Sequence, residues 1–96
     1  MFDNISIENL ANIINKINII DIRSNEKFNS SHIPYAINIP FDKLILNPNK
    51  YLKLNGKYYL YCTKGKKSIS LCTYLSKQGY NVINISGGYE KWLLKK

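Results

Sequence analysis

A chain of 96 residues with 45% apolar and 21% charged residues reads as one small domain, residues 1–96, with a modest core, and not as a disordered or multi-domain protein. Its formal charge of +8 suits an anionic partner, yet 13 of the 14 cations are Lys and only Arg23 is Arg. Alongside 15 Ile, 13 Asn and 8 Tyr, that balance reads as a compositional bias, which argues against nucleic-acid recognition and leaves a local anion site open.

Residues 3–5 allow a short first strand. Ser6 then caps an amphipathic helix expected over 7–17, with Ile7, Leu10, Ile13, Ile14 and Ile17 on one face. The β-branched run at 18–22 predicts a buried strand, Ser24 to Asn29 one helical turn, and the alternating 36–40 a short strand stopped by Pro40. Residues 41–46 suit a short helix before a turn at Asn47-Pro48-Asn49. Asn55-Gly56 marks a turn into an aromatic strand at 57–62. Lys67 to Lys77 carries Ile69, Leu71, Cys72 and Leu75 at helical spacing and stops at Gly79. A strand at 81–85 is broken by Gly87-Gly88, and a last helix over 89–96 places Lys95 and Lys96 at its C-terminal end, where cations are favoured. Strands alternating with helices predict an α/β fold with a mainly parallel sheet.

No run is long and apolar enough to cross a membrane, and MFDNISIENL lacks the basic and apolar regions of a signal peptide. The expectation is a cytoplasmic protein without membrane contact. Two cysteines, Cys62 and Cys72, make no disulfide framework and, with the only histidine at His32, no structural zinc site; no metal is expected. A reducing compartment leaves both thiols free.

Ligands of parallel sheets bind beyond the carboxyl ends of the strands. Three segments end strands there: Asp21-Ile22-Arg23, Cys62 to Ser68, and Ser86-Gly87-Gly88. The middle one carries chemistry. Cys62 ends a strand; Thr63, Lys64, Gly65, Lys66 and Lys67 follow; Ser68 lies in the first turn of a helix. Such a loop can turn its N–H groups inward as an anion cradle, and the helix N-terminus adds partial positive charge. Both favour the thiolate, the reactive form of cysteine. Gly65 permits a backbone geometry that a side chain forbids, and the lysines draw in an anionic substrate. The plainer reading is an inert, small apolar cysteine beside solvated lysines.

The chain resembles the single-domain rhodaneses, a family of sulfurtransferases, over nearly its whole length. Asp21-Ile22-Arg23 is similar to the family's Asp-Val-Arg, and Ser31 to Pro40, SHIPYAINIP, to its Gly-His-Ile-Pro-Gly-Ala-Ile-Asn-Ile-Pro. Cys62 to Ser68, CTKGKKS, is similar to the Cys-x-x-Gly-x-Arg-Ser active loop. Gly79-Tyr80, Val82 and then Gly87 to Trp92, GGYEKW, are similar to its Gly-Phe, Val and Gly-Gly-x-x-Ala-Trp ending. The resemblance implies a three-layer α/β sandwich: a central parallel five-stranded sheet with helices on both faces. It also implies sulfane-sulfur transfer from thiosulfate or a protein persulfide, through a persulfide on Cys62, to cyanide or a thiol. Residues 63–68 then form the anion cradle, Asp21, Arg23, Gly87 and Gly88 support it, and no cofactor is implied.

Four departures stand out. Ser31 and Tyr35 replace glycines, Lys91 replaces a small residue and is expected to face solvent, and Lys67 stands where Arg is common, offering a point charge instead of a planar fork. The related phosphatases of the cell-cycle dual-specificity type have one more loop residue and an Arg after Cys-x5. Here the sixth residue after Cys62 is Ser68, so no Arg clamps a phosphoryl group. Two other functions share this pattern: a non-catalytic rhodanese-like module that docks on a protein, and a persulfide carrier serving tRNA or cofactor thiolation.

The remaining candidates read as structural. Asp21 and Arg23 suit a buried pair tying strand ends together, with support of the loop as the alternative. His32 suits a hydrogen bond to backbone, since a thiolate held by N–H groups needs no base. Cys72 and Trp92 suit the core.

Overall fold

The computed structural model describes residues 1–95. In chain order the elements are β1 (Asp3–Ile5), α1 (Ile7–Ala11), a 3-10 turn (Ile14–Lys16), β2 (Asn18–Asp21), α2 (Asn25–Ser30) and β3 (Ile37–Asn38). Then come α3 (Phe41–Leu46), α4 (Pro48–Tyr51), β4 (Lys57–Tyr61), α5 (Lys66–Lys77), β5 (Asn81–Ile85) and α6 (Gly88–Leu94). The five strands form one parallel sheet in the order β1-β5-β4-β2-β3. This is the expected α/β sandwich.

The sheet is buried on both faces, as parallel sheets are. Alternation along each strand divides the side chains between two cores. Ile20, Leu60 and Val82 pack with Leu71, Cys72 and Leu75 of α5 and Leu44 of α3. Ile19, Tyr59, Tyr61, Ile83 and Ile85 pack with Ile7 and Leu10 of α1 and Tyr89 of α6. No described helix is long and apolar enough to cross a membrane.

The first helix is shorter than its apolar spacing suggests. Ser6 caps it by accepting a hydrogen bond from the Asn9 N–H, but the helix ends at Ala11. Asn12 and the β-branched Ile13 and Ile14 are weak helix formers, and Ile13 leaves helical geometry at φ −125°, ψ 8°. The isoleucines still reach the core: Ile13, Ile14 and Ile17 pack against it half-buried. The turn expected at 47–49 is instead the start of α4, with Pro48 in its first turn, where a missing N–H costs nothing. The strand expected over 36–40 pairs only at Ile37–Asn38, and the strand expected to reach Cys62 ends at Tyr61. Helix α5 starts one residue earlier than expected, and α6 also begins one residue earlier, at Gly88. Ile69 is exposed, because the buried stripe of α5 is Ser68, Leu71, Cys72 and Leu75. Lys91 faces solvent and Lys95 ends α6; Lys96 lies outside the described residues.

Candidate functional site at the end of strand β4

Strands β2, β4 and β5 are neighbours, so the segments that follow them meet at one edge of the sheet. Cys62 follows β4 directly and is 5% exposed. The chain then makes a tight loop and enters α5. Gly65 turns it at φ +106°, in the left-handed region that glycine occupies without strain. A Cβ at Gly65 would meet nothing closer than 3.5 Å, so backbone geometry, not space, selects glycine there.

The loop aims donors at the sulfur. The Gly65 N–H lies 3.1 Å and the Ser68 N–H 3.3 Å from the Cys62 Sγ, while the thiol itself donates to the Ser68 Oγ at 3.5 Å. Ser68 is fully buried. The two backbone N–H groups stabilise negative charge on sulfur through fixed dipoles that need no reorganisation.

Helix α6 holds the other side of the loop. Its Tyr89 N–H donates to the Cys62 carbonyl at 2.9 Å and its Glu90 N–H to the Thr63 carbonyl at 3.0 Å. Gly88, at φ +63°, makes the approach possible. A Cβ there would collide with the Cys62 carbonyl oxygen and sit 2.7 Å from that of Thr63. Gly87 and Gly88 thus meet the loop through backbone, as expected of them.

A cavity of about 480 Å³ opens over the sulfur. Cys62, Thr63, Lys64, Lys66 and Lys67 line one wall. Ile22, Arg23 and Lys27 line the other. The four lysines are exposed and, among the described residues, no carboxylate lines the cavity, so its potential is positive. Lys27 went unnoticed in sequence, because only the fold brings α2 opposite the loop. The Lys67 Nζ sits 5.9 Å from the Phe41 ring, at the side of the cavity toward α3.

Asp21 and Arg23 form a buried pair. The guanidinium donates to both Asp21 oxygens at 2.8–3.1 Å and to the Ser31 carbonyl at 2.6 Å, and stacks 4.3 Å from the Tyr89 ring centre. Burial opposes the Arg23 charge, but the hydrogen bonds and charge of Asp21 outweigh it and hold the guanidinium more firmly protonated than usual. The Tyr61 hydroxyl donates to Asp21 at 2.6 Å and accepts from the Ile33 N–H at 3.1 Å. Burial, followed by that bond to Asp21, pushes the Tyr61 phenol up. These contacts tie β2, β4 and the 31–33 segment together, while Arg23 shows one edge to the cavity.

The His32 Nδ1 lies 2.8 Å from the Phe28 carbonyl, and its ring stacks on Phe28, so it is engaged with α2. Cys72 is fully buried in the core on α5; burial, with a smaller effect of Cys62, pushes its thiol up to about 12. Both cysteines are free thiols. Among the described residues no group of His, Cys, Asp and Glu is placed to hold a metal ion.

Known proteins resemble this chain in sequence and in fold. The chain is 33% identical over 75 residues to a probable molybdopterin-synthase adenylyltransferase of Porphyra purpurea, covering 77% of this chain but 20% of that protein. It therefore spans about a fifth of the length of this relative. It is 32% identical over 76 residues to the putative sulfurtransferase YtwF of Bacillus subtilis, covering 77% of this chain and 71% of YtwF. Likewise it is 32% identical over 77 residues to the putative sulfur carrier protein YrkF of the same organism, covering 79% of this chain and 41% of YrkF. The crystal structure of a rhodanese-like domain protein from Staphylococcus aureus superposes with a TM-score of 0.85 at 29% identity, covering 95% of this chain and 91% of that one. The rhodanese-like domain model matches residues 6–95. With the family pattern, the parallel sheet and the Cys62 loop in agreement, the chain belongs to the rhodanese-like domain family.

Proposed function

We infer that this chain, acting as one domain, is a sulfurtransferase that carries sulfane sulfur on Cys62. The observation that supports this most is the pair of backbone N–H groups, Gly65 and Ser68, directed at a thiol sulfur beneath a lysine-lined cavity. In the first half-reaction the Cys62 thiolate attacks the outer sulfur of a donor. A Cys62 S–S bond forms, the donor's S–S bond breaks, and its electron pair leaves with sulfite when the donor is thiosulfate, or with a thiolate when it is a persulfide. In the second half-reaction cyanide or an acceptor thiolate attacks the terminal sulfur and Cys62 leaves as thiolate. This is covalent catalysis in two steps. Lys27, Lys64, Lys66 and Lys67 attract the anionic donor.

A protein persulfide as donor or acceptor is the second reading of the same chemistry. Relatives that are a sulfur carrier and an adenylyltransferase favour it, as does a cavity far larger than a five-atom donor needs. A reducing, cytoplasmic setting suits two free thiols. Steady-state thiocyanate formation from thiosulfate and cyanide tests the proposal. Parallel double-reciprocal lines are expected, and Cys62→Ser should abolish turnover; turnover retained in Cys62→Ser would overturn the assignment.

A further inference from the structure

Asn84 is a polar side chain in a strand buried on both faces, 1% exposed, and the sulfur-transfer chemistry above makes no use of it. It shares its face of the sheet with Val82, the face that α5 covers. There it meets Ser68. The Ser68 Oγ lies 2.6 Å from the Asn84 Oδ1, and the Asn84 Nδ2 lies 2.9 Å from the Oδ1 of Asn4, its register partner on β1. With the Cys62–Ser68 contact at 3.5 Å, these bonds make one chain from the sulfur through the sheet to an exposed amide.

A hydroxyl has one proton to give. The Ser68 Oγ has three acceptors in reach: Asn84 Oδ1 at 2.6 Å, the Gly65 carbonyl at 3.1 Å and Cys62 Sγ at 3.5 Å. In the thiol state the shortest contact takes that proton, Cys62 S–H donates to Ser68, and every donor in the chain points away from the sulfur. A thiolate only accepts, so Ser68 must turn its proton to Sγ. The Asn84 Oδ1 then loses its donor. It regains one if the amide turns over, so that Nδ2 donates to Ser68 and Oδ1 accepts from a turned Asn4. The oxygen and nitrogen of each amide exchange places, the other heavy atoms stay where they are, and the number of bonds is unchanged. Asn4, at the surface, reorients in water without leaving a buried group unpaired.

We propose that Asn84 is a positioning residue for the Cys62 thiolate, acting through the Ser68 hydroxyl, with its amide turning over as Cys62 passes between thiol and thiolate. Without it, no amide donates to the Ser68 Oγ when its proton turns to Sγ, and the hydroxyl that holds the thiolate is a weaker donor. The inference rests on Cys62 being the nucleophile, but it is read on the thiolate itself, with no sulfur donor present. The other charged or titratable groups on the surrounding elements include Asp3, Asp21, Arg23, Lys27, Asp42, Tyr61, Lys64, Lys66, Lys67, Cys72 and Glu90; of these only Cys72 is altered, and in every variant alike.

The test is the pH profile of Cys62 alkylation by iodoacetamide, in a Cys72→Ala background so that one thiol reports. Ser68→Ala should move the midpoint up by roughly one to two pH units, the effect of one lost hydrogen bond to a charge, and Asn84→Leu should move it up by a measurable part of that. The double substitution should move it no further than Ser68→Ala alone. An unmoved midpoint in Asn84→Leu, or shifts that add, would overturn the proposal. Should Asn84→Leu fail to fold, the side-chain amide resonances of Asn84 in the unsubstituted chain decide. They should titrate with the Cys62 midpoint and stay fixed in Ser68→Ala; resonances indifferent to Cys62 ionisation would refute it.

Discussion

Cys62 and Cys72 are both buried thiols, and their surroundings separate them. Cys62 has two backbone N–H groups within 3.3 Å, whereas Cys72 lies among Leu71, Leu75 and Leu60. Burial pushes the Cys72 thiol up to about 12, so it stays protonated in the fold after an unfolded chain would have ionised it. The sign follows: Cys72 contributes stability that is intact at neutral pH and is lost as pH rises from about 9 toward 12. Cys72→Ala should therefore leave turnover within a few-fold, cost on the order of 1–2 kcal/mol at pH 7, and make the denaturation midpoint fall less steeply between pH 9 and 11. A large loss of turnover at unchanged stability would give Cys72 a chemical role instead. Cys62 was legible in the sequence because a thiol, a glycine and a helix start stood in order. Asn84 was not, although a lone amide within NVINI is a signal once the strand is known to be buried on both faces.

At the scale of elements, the sulfur is placed by a junction of β4, α5 and α6. Helix α6 holds the Cys62 and Thr63 carbonyls, and Gly88 is the point of closest approach. Gly88→Ala should cost about 2–4 kcal/mol, from a strained φ and the collision with two carbonyl oxygens, and should lower kcat by displacing the loop. Thermal denaturation beside turnover checks both. The lysines of the loop and α5 start sit at the cavity rim, where the role proposed for them is in binding and not at the bond being broken. Lys64→Ala with Lys66→Ala should raise KM for thiosulfate about 5–30-fold at low salt, with a smaller change in kcat. The rise should shrink with added salt. An unchanged KM would make them ordinary surface charges. Helix bounds were the least legible feature. The apolar spacing of α1 was right about which isoleucines face the core, but Asn12 and Ile13 end the helix early. Ser68, polar and therefore passed over as a core position, is the buried residue of α5 that Ile69 was expected to be.

For the molecule as a whole, the β1-β5-β4-β2-β3 order makes the site. It sets β2 and β5 on either side of β4, so Arg23 and Lys27 arrive opposite the loop and Asn84 arrives beneath it. Alternating strands and helices made the parallel sheet legible, but its strand order was not read from the sequence. Partners that converge only through that order, such as Lys27 and Tyr61, had no local signature. Part of the positive charge borders the sulfur, since four exposed lysines line one cavity and no carboxylate does among the described residues. In the proposed cycle, sulfur rests covalently on Cys62 between donor and acceptor, and intact mass after incubation with thiosulfate detects it there. A gain of one sulfur, about 32 Da, is expected, lost on adding cyanide, retained in Cys72→Ala and absent in Cys62→Ser. An adduct that persists in Cys62→Ser, or one that cyanide does not remove, would contradict it.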